Sequence, residues 1–247
     1  MNNKKASHIG RITGVALGPG DPELITVKGL NRLKEADKIY FPGSVSQSGQ
    51  LSSFSLEILK NYGLPPERLH GLHIPMNKNR QHAGRVYDEA FELIRDDYNA
   101  GLDVVICTEG DISFYSTFGY LLERFQAANM TVELIAGVPA FIAAGAAAQL
   151  PISLQQDKLI VLSQLESVAE LNSYLASFES VVIMKLSTIR HEIVDFLERA
   201  NRPFLYAERI GTPDAFFTSQ IERLKGRTIP YFSLLIFSRH IKTPFQV

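Results

Sequence analysis

The 247-residue chain contains one cysteine and no tryptophan. A single thiol, Cys107, excludes an intramolecular disulfide and accords with a reducing compartment. It closes the apolar run Val104-Val105-Ile106-Cys107, so it reads as a small buried side chain rather than a nucleophile. An excess of one charge sign is also lacking. Lys and Arg number 25 against 26 Asp and Glu, a net charge of −1, which argues against a nucleic-acid partner. The uncharged stretch Leu134 to Gln156 is interrupted by Gly137, Pro139 and Pro151. It therefore reads as strand, turn and core helix, where a membrane span needs about 20 mainly apolar residues. Met1 to His8 has no apolar leader segment, and the expected setting is cytoplasmic with no membrane partner. His70, His73 and His82 lack ligand spacing with a carboxylate, so no protein-bound metal is expected. The dinucleotide spacing G-x-G-x-x-G and a phosphate-loop Lys-Ser/Thr are both missing.

What is present is a strand-turn-helix design used three times. Ile12, Val15, Ala16 and Leu17 read as a buried strand, followed by Gly18-Pro19-Gly20. The two glycines open backbone angles closed to other residues, and the proline stiffens the turn between them. Asp21, Pro22 and Glu23 suit a helix start, and Leu24, Val27, Leu30 and Leu33 recur at helical spacing. Leu102 to Cys107 repeats the strand, Thr108-Glu109-Gly110-Asp111 the turn, and Phe118, Leu121, Leu122 and Phe125 the helix. Asp111 can be read there as a simple cap or as part of a site. Thr131 to Ile135, then Gly137-Val138-Pro139-Ala140 and an alanine-rich helix to Ala148, give the third instance. Such turns lie at the C-terminal strand edge, where open α/β sheets bind ligands.

Between and after these stretches the chain alternates. A strand over Lys38 to Phe41 is expected to stop at Pro42-Gly43-Ser44, and Ser44 to Ser53 to form a loop. A helix over Leu56 to Tyr62, a strand over Leu69 to Ile74 and a helix through Val86, Ala90, Leu93 and Ile94 follow. After a boundary at Ala127-Ala128-Asn129, strands at Leu159 to Leu162, Val181 to Met184 and Phe204 to Ala207 alternate with helices. The expectation is an α/β chain of two domains, 1–128 and 129–247, with mainly parallel sheets.

Gly-Pro-Gly-Asp-Pro-Glu-Leu-Ile-Thr at residues 18–26, with Val27-Lys28-Gly29-Leu30 and Glu35-Ala36-Asp37, resembles the opening of the tetrapyrrole (corrin/porphyrin) methylases. The resemblance extends along nearly the whole chain, with departures at Ile112 and Ala136, where the family places proline. It implies a ligand cleft between two α/β domains, S-adenosylmethionine as methyl donor, a reduced tetrapyrrole as substrate, and a homodimer. It carries cofactor contacts onto Leu17, Pro19, Glu109, Gly110, Asp111, Phe114, Val138, Pro139, Ala140, Met184, Arg209 and Ile210. Tyr231-Phe232-Ser233-Leu234, with Pro42-Gly43-Ser44, is most similar to the precorrin-2 C-20 methyltransferases of cobalamin synthesis. The uroporphyrinogen methylases carry a carboxylate where Pro42 stands, so no catalytic base is assigned. Ser44, Arg80 and Arg85 are candidates for the substrate rim, the arginines as counter-ions to its carboxylates. A sibling tetrapyrrole C-methylase and a non-catalytic cofactor- or pigment-binding module stay open as alternatives.

Overall fold

The computed structural model describes residues 9–45, 51–73 and 80–241, and the side chains of 44, 45, 51, 52, 73 and 80–83 fall outside that description. The chain divides into two compact units, 1–139 and 140–247.

In the first unit the elements are β1 (Arg11–Ala16), α1 (Val27–Glu35), β2 (Lys38–Val45), β3 (Leu51–Ser52) and α2 (Phe54–Leu59). They continue with β4 (Leu69–His73), α3 (Arg80–Asn99), β5 (Asp103–Thr108), α4 (Phe118–Ala127) and β6 (Val132–Ile135). The sheet runs β3-β2-β5-β1-β6, with β4 also paired to β2. All pairs are parallel except β2 with β3. Alternate residues of these strands feed two cores. Val15, Leu17, Ile39, Phe41, Val105 and Cys107 pack with Leu33 of α1 and Ile58 and Leu59 of α2. Ile12, Ala16, Tyr40, Val104 and Ile106 pack with Ile94 of α3 and Phe118, Leu121 and Phe125 of α4. A sheet covered on both faces by helices explains the continuous apolar strands. Burying one such leucine contributes about 2 kcal/mol.

Four expectations change here. The boundary moves from 128 to 139 because β6 hydrogen-bonds in register to β1, Ile12 opposite Val132, and so completes the first sheet. The strand expected to stop at Pro42 continues to Val45. Its pairing with β5 ends at Tyr40, so Pro42 is paired on the β4 side only and its missing N–H leaves no gap in the β5 ladder. The helix expected directly after Asp21 is a single 3-10 turn, Pro22–Leu24, capped by Asp21. A second cap, the Thr26 hydroxyl accepting from Gly29 N at 3.1 Å, then starts α1. Val27 consequently lies 77% exposed instead of facing the core.

The second unit holds α5 (Ala140–Ala147), β7 (Leu159–Leu162), α6 (Leu171–Ser177), β8 (Ser180–Met184), α7 (Ile193–Ala200), β9 (Phe204–Glu208), β10 (Phe216–Thr218) and β11 (Ser233–Ser238). Strands β7, β8 and β9, which alternate with helices, share one direction. The C-terminal β11 inserts antiparallel between β8 and β9, and β10 pairs antiparallel at the β9 edge. Val181, Ile183, Leu235, Phe237, Phe204 and Tyr206 pack against Leu171 and Leu175 of α6 and Ile193, Phe196 and Leu197 of α7. Among the described residues no helix is long and apolar enough to cross a membrane.

Candidate functional site

Parallel strands β5, β1 and β6 are neighbours, so the three glycine turns that follow them meet at one sheet edge. The connections leaving β1 and β5 cross in opposite directions, toward β2 and β6 respectively. Crevices at such reversals are where open α/β sheets take ligands.

The first two turns are tied backbone to backbone. Leu17 N donates to Thr108 O at 2.9 Å, Gly18 N to Gly110 O at 3.2 Å, and Gly110 N to Gly18 O at 2.8 Å. Both glycines have positive φ, +80° at Gly18 and +67° at Gly110, a region that penalises other side chains. A Cβ on Gly110 would meet nothing within 4 Å, so this backbone faces open space. The third turn is locked by contact. A Cβ on Gly137 would come to 2.5 Å from Ala16 Cβ and 2.6 Å from Gly110 O.

Asp111 completes the junction and caps no helix, so the simple-cap reading of this residue does not hold. Its Oδ2 accepts from Gly137 N at 2.7 Å, while Oδ1 accepts from Ser113 N at 2.9 Å and Ser113 Oγ at 2.6 Å. The residue is 8% exposed. Burial pushes its carboxyl up, but the Ser113 hydroxyl and the Gly137 and Ser113 amides outweigh this and hold it below the ordinary carboxylate value. Glu109 is anchored as well, its Oε1 accepting from Ser55 N at 3.1 Å and Ser55 Oγ at 2.6 Å at the start of α2. Tyr62 donates to Pro22 O at 2.9 Å and steadies the turn after Gly20. Sequence reasoning missed Ser55, Tyr62 and Thr26, whose partners are distant in sequence or depend on where the helix starts.

The remaining candidates are placed as follows. The Leu17 side chain belongs to the core and Pro19 is buried, which leaves backbone as what they can offer a ligand. Phe114, Val138, Pro139 and Ala140 are half-buried, and the Phe114 ring lies 4.6 Å from that of Tyr115. Met184, Arg209 and Ile210 are in the second unit, at the C-terminal ends of β8 and β9. Ser44 pairs with Ser52 through its backbone and Arg80 opens α3, but both side chains are outside the described residues. Arg85 is exposed on α3. Ile112, which replaces a family proline, is 3% exposed and packs over Gly14. Cys107 is 1% exposed, and burial pushes its thiol far above the ordinary range, which suits a packing role.

The family model for tetrapyrrole (corrin/porphyrin) methylases matches residues 11–225. A probable cobalt-precorrin-2 C(20)-methyltransferase of Methanocaldococcus jannaschii is 31% identical over 183 residues, 74% of this chain and 75% of that protein. A precorrin-2 C(20)-methyltransferase of a Sinorhizobium species is 30% identical over 234 residues, 92% of this chain and 95% of that protein. In three dimensions, a uroporphyrin-III C-methyltransferase of Thermus thermophilus, solved with S-adenosyl homocysteine, superposes with a TM-score of 0.62. It is 22% identical and covers 94% of this chain and 99% of that one.

Proposed function

We propose, from the premise that this chain belongs to the tetrapyrrole (corrin/porphyrin) methylases, that it methylates carbon 20 of precorrin-2 or cobalt-precorrin-2 using S-adenosylmethionine. Relatives bearing that activity in their names at 30% and 31% identity support the choice of substrate. The observation that carries the reading is the Gly18–Gly110–Asp111–Gly137 junction. It presents rigid backbone, free of bulky side chains, at the ligand edge of an open sheet.

When bound, S-adenosylmethionine supplies a methyl group on a positively charged sulfur, open to attack by an electron-rich ring carbon. The chain's own task is alignment, since in-line transfer depends on a narrow range of approach. Both Asp111 oxygens accept hydrogen bonds from within the protein, so this carboxylate sets the distance between the second and third turns. Gly110 leaves the space that a ligand needs. The family pattern assigns the backbone of Leu17 and Pro19, together with Glu109, Phe114, Val138, Pro139 and Ala140, to the cofactor. In the second unit it assigns Met184, Arg209 and Ile210. Ser44, Arg80 and Arg85 are the proposed rim for substrate carboxylates, and the working form is a homodimer in the cytoplasm.

The test is product analysis. Purified protein with S-adenosylmethionine and precorrin-2, with and without cobalt, should yield a product heavier by one methyl group, located at C-20 by NMR. Methylation of uroporphyrinogen III instead would move the chain to that subgroup. Cofactor binding without turnover on either substrate would make it a binding module. Arg80→Ala with Arg85→Ala should raise the tetrapyrrole KM about tenfold, equivalent to about 1.4 kcal/mol. An unchanged KM would place the rim elsewhere.

A further inference from the structure

In the second sheet, β8 and β9 share a direction and β11 runs between them antiparallel. The C-terminal ends of β8 and β9 therefore share an edge with the start of β11. The residue after β8 and the residue after β9 are both basic and both left-handed, Lys185 at φ +55° and Arg209 at φ +50°. Side chains other than glycine, asparagine or aspartate rarely adopt this region without a reason. The two backbones are held there by the segment that leads into β11, Lys185 N donating to the O of Ser233, its first residue, and Arg209 N to Phe232 O, each at 2.9 Å. That segment carries two exposed rings, Tyr231 at 42% and Phe232 at 39%, set edge-on with centroids 5.2 Å apart.

The two cations differ in their surroundings. The Arg209 guanidinium has Asp214 at 3.4 Å. The Lys185 ammonium is half-buried, 6.0 Å from the Tyr231 ring centroid, and has no carboxylate within ion-pair distance among the described residues. Burial lowers its pKa. An ordinary surface lysine would extend its ammonium into water. A desolvated cation without an anion is costly to the folded chain, and the flat aromatic surface beside it would suit a ring-bearing ligand.

We propose that Lys185 is the receiving cation for a ligand carboxylate, with Tyr231 and Phe232 as the wall against which that ligand lies. This rests on the methyltransferase reading above. Two carboxylates could occupy the position, an acid side chain of the tetrapyrrole or the amino-acid carboxylate of the methyl donor.

The experiment compares wild type with Lys185→Gly and Lys185→Met by calorimetry with S-adenosylhomocysteine, by steady-state kinetics with precorrin-2, and by thermal unfolding. Glycine relieves the left-handed strain and both variants remove the desolvated charge, so both should unfold at a higher temperature than wild type. Both should also lose ligand affinity about tenfold. A weaker S-adenosylhomocysteine Kd would assign the donor carboxylate. A raised precorrin-2 KM with unchanged Kd would assign the tetrapyrrole acid. Unchanged Kd and KM in both variants, with an active wild type, would overturn the proposal. Lower stability with unchanged constants would do so too, reducing Lys185 to a partner of Tyr231. Should wild type itself fail to bind or methylate, the functional reading fails first. Carbon-13 NMR of the lysine Cε then tests Lys185 separately, with the stable polycarboxylate uroporphyrin as probe. A rise in the Lys185 pKa on adding it supports the carboxylate site, and no change overturns it.

Discussion

Replacing Asp111 with asparagine tests whether the three turns act as one unit. The carboxylate accepts three hydrogen bonds, two from Ser113 and one from Gly137 N, at 2.6 to 2.9 Å. An amide has one accepting oxygen, so its NH2 must face either the Gly137 amide or the two Ser113 donors. One charge-assisted bond, worth about 1.5–3 kcal/mol, is lost, and a buried donor is left unpaired. The expected destabilisation is about 2–4 kcal/mol, which a domain of ordinary stability survives. Asp111→Ala should cost about 3–5 kcal/mol, because all three donors then lose their charged acceptor. Urea denaturation at pH 7 measures this as a lower midpoint at constant slope. Affinity for S-adenosylhomocysteine should fall about tenfold in the asparagine variant as the turns separate. The pH dependence has a defined sign. The folded-state carboxyl lies below its ordinary 3.8, so its contribution is present above that pH and disappears as pH falls through the folded value. The gap between wild type and Asp111→Asn should therefore narrow below pH 3.8 and persist at neutral pH. A midpoint shift under about 0.5 kcal/mol at pH 7, with unaltered ligand affinity, would refute the idea that Asp111 joins the turns.

Three further outcomes follow from packing and polar satisfaction. Gly137→Ala places a Cβ 2.5 Å from Ala16 Cβ and 2.6 Å from Gly110 O, so it should cost about 1–3 kcal/mol in denaturation and weaken S-adenosylhomocysteine binding by calorimetry. Tyr40→Phe deletes the hydroxyl that donates to Asp97 Oδ2 at 2.6 Å and leaves Lys38 Nζ, at 2.6 Å from Oδ1, as the remaining side-chain donor among the described residues. A loss of about 1.5–3 kcal/mol should appear in the urea midpoint, and no loss would mean that water replaces the phenol. Thr108→Val removes a buried hydroxyl that has no hydrogen-bond partner among the described residues. It should be neutral or stabilising by about 1 kcal/mol in thermal unfolding, and a clear loss of stability would reveal a partner for that oxygen.

The linear sequence determined most of the element types and the three glycine turns, because strands and helices imprint their periods on neighbouring residues and a turn's needs are local. It likewise placed Cys107 in the core, since an apolar run around a thiol already describes its surroundings. Where elements meet was decided by tertiary structure. Residues 127–129 have the composition of a boundary, yet β6 beyond them is claimed by β1, a pairing that joins Ile12 to Val132. Pro42 looks like a strand end because local rules presume neighbours on both sides, and only the sheet order shows that its β5 side is free. Asp111 has the spacing of a cap, but its Oδ2 reaches Gly137, 26 residues away, and that bond turns three separate motifs into one edge. The strain at Lys185 and Arg209 was invisible for the same reason. A backbone angle is imposed by partners, here the carbonyls of Ser233 and Phe232, and nothing in the residues beside a strand end announces them.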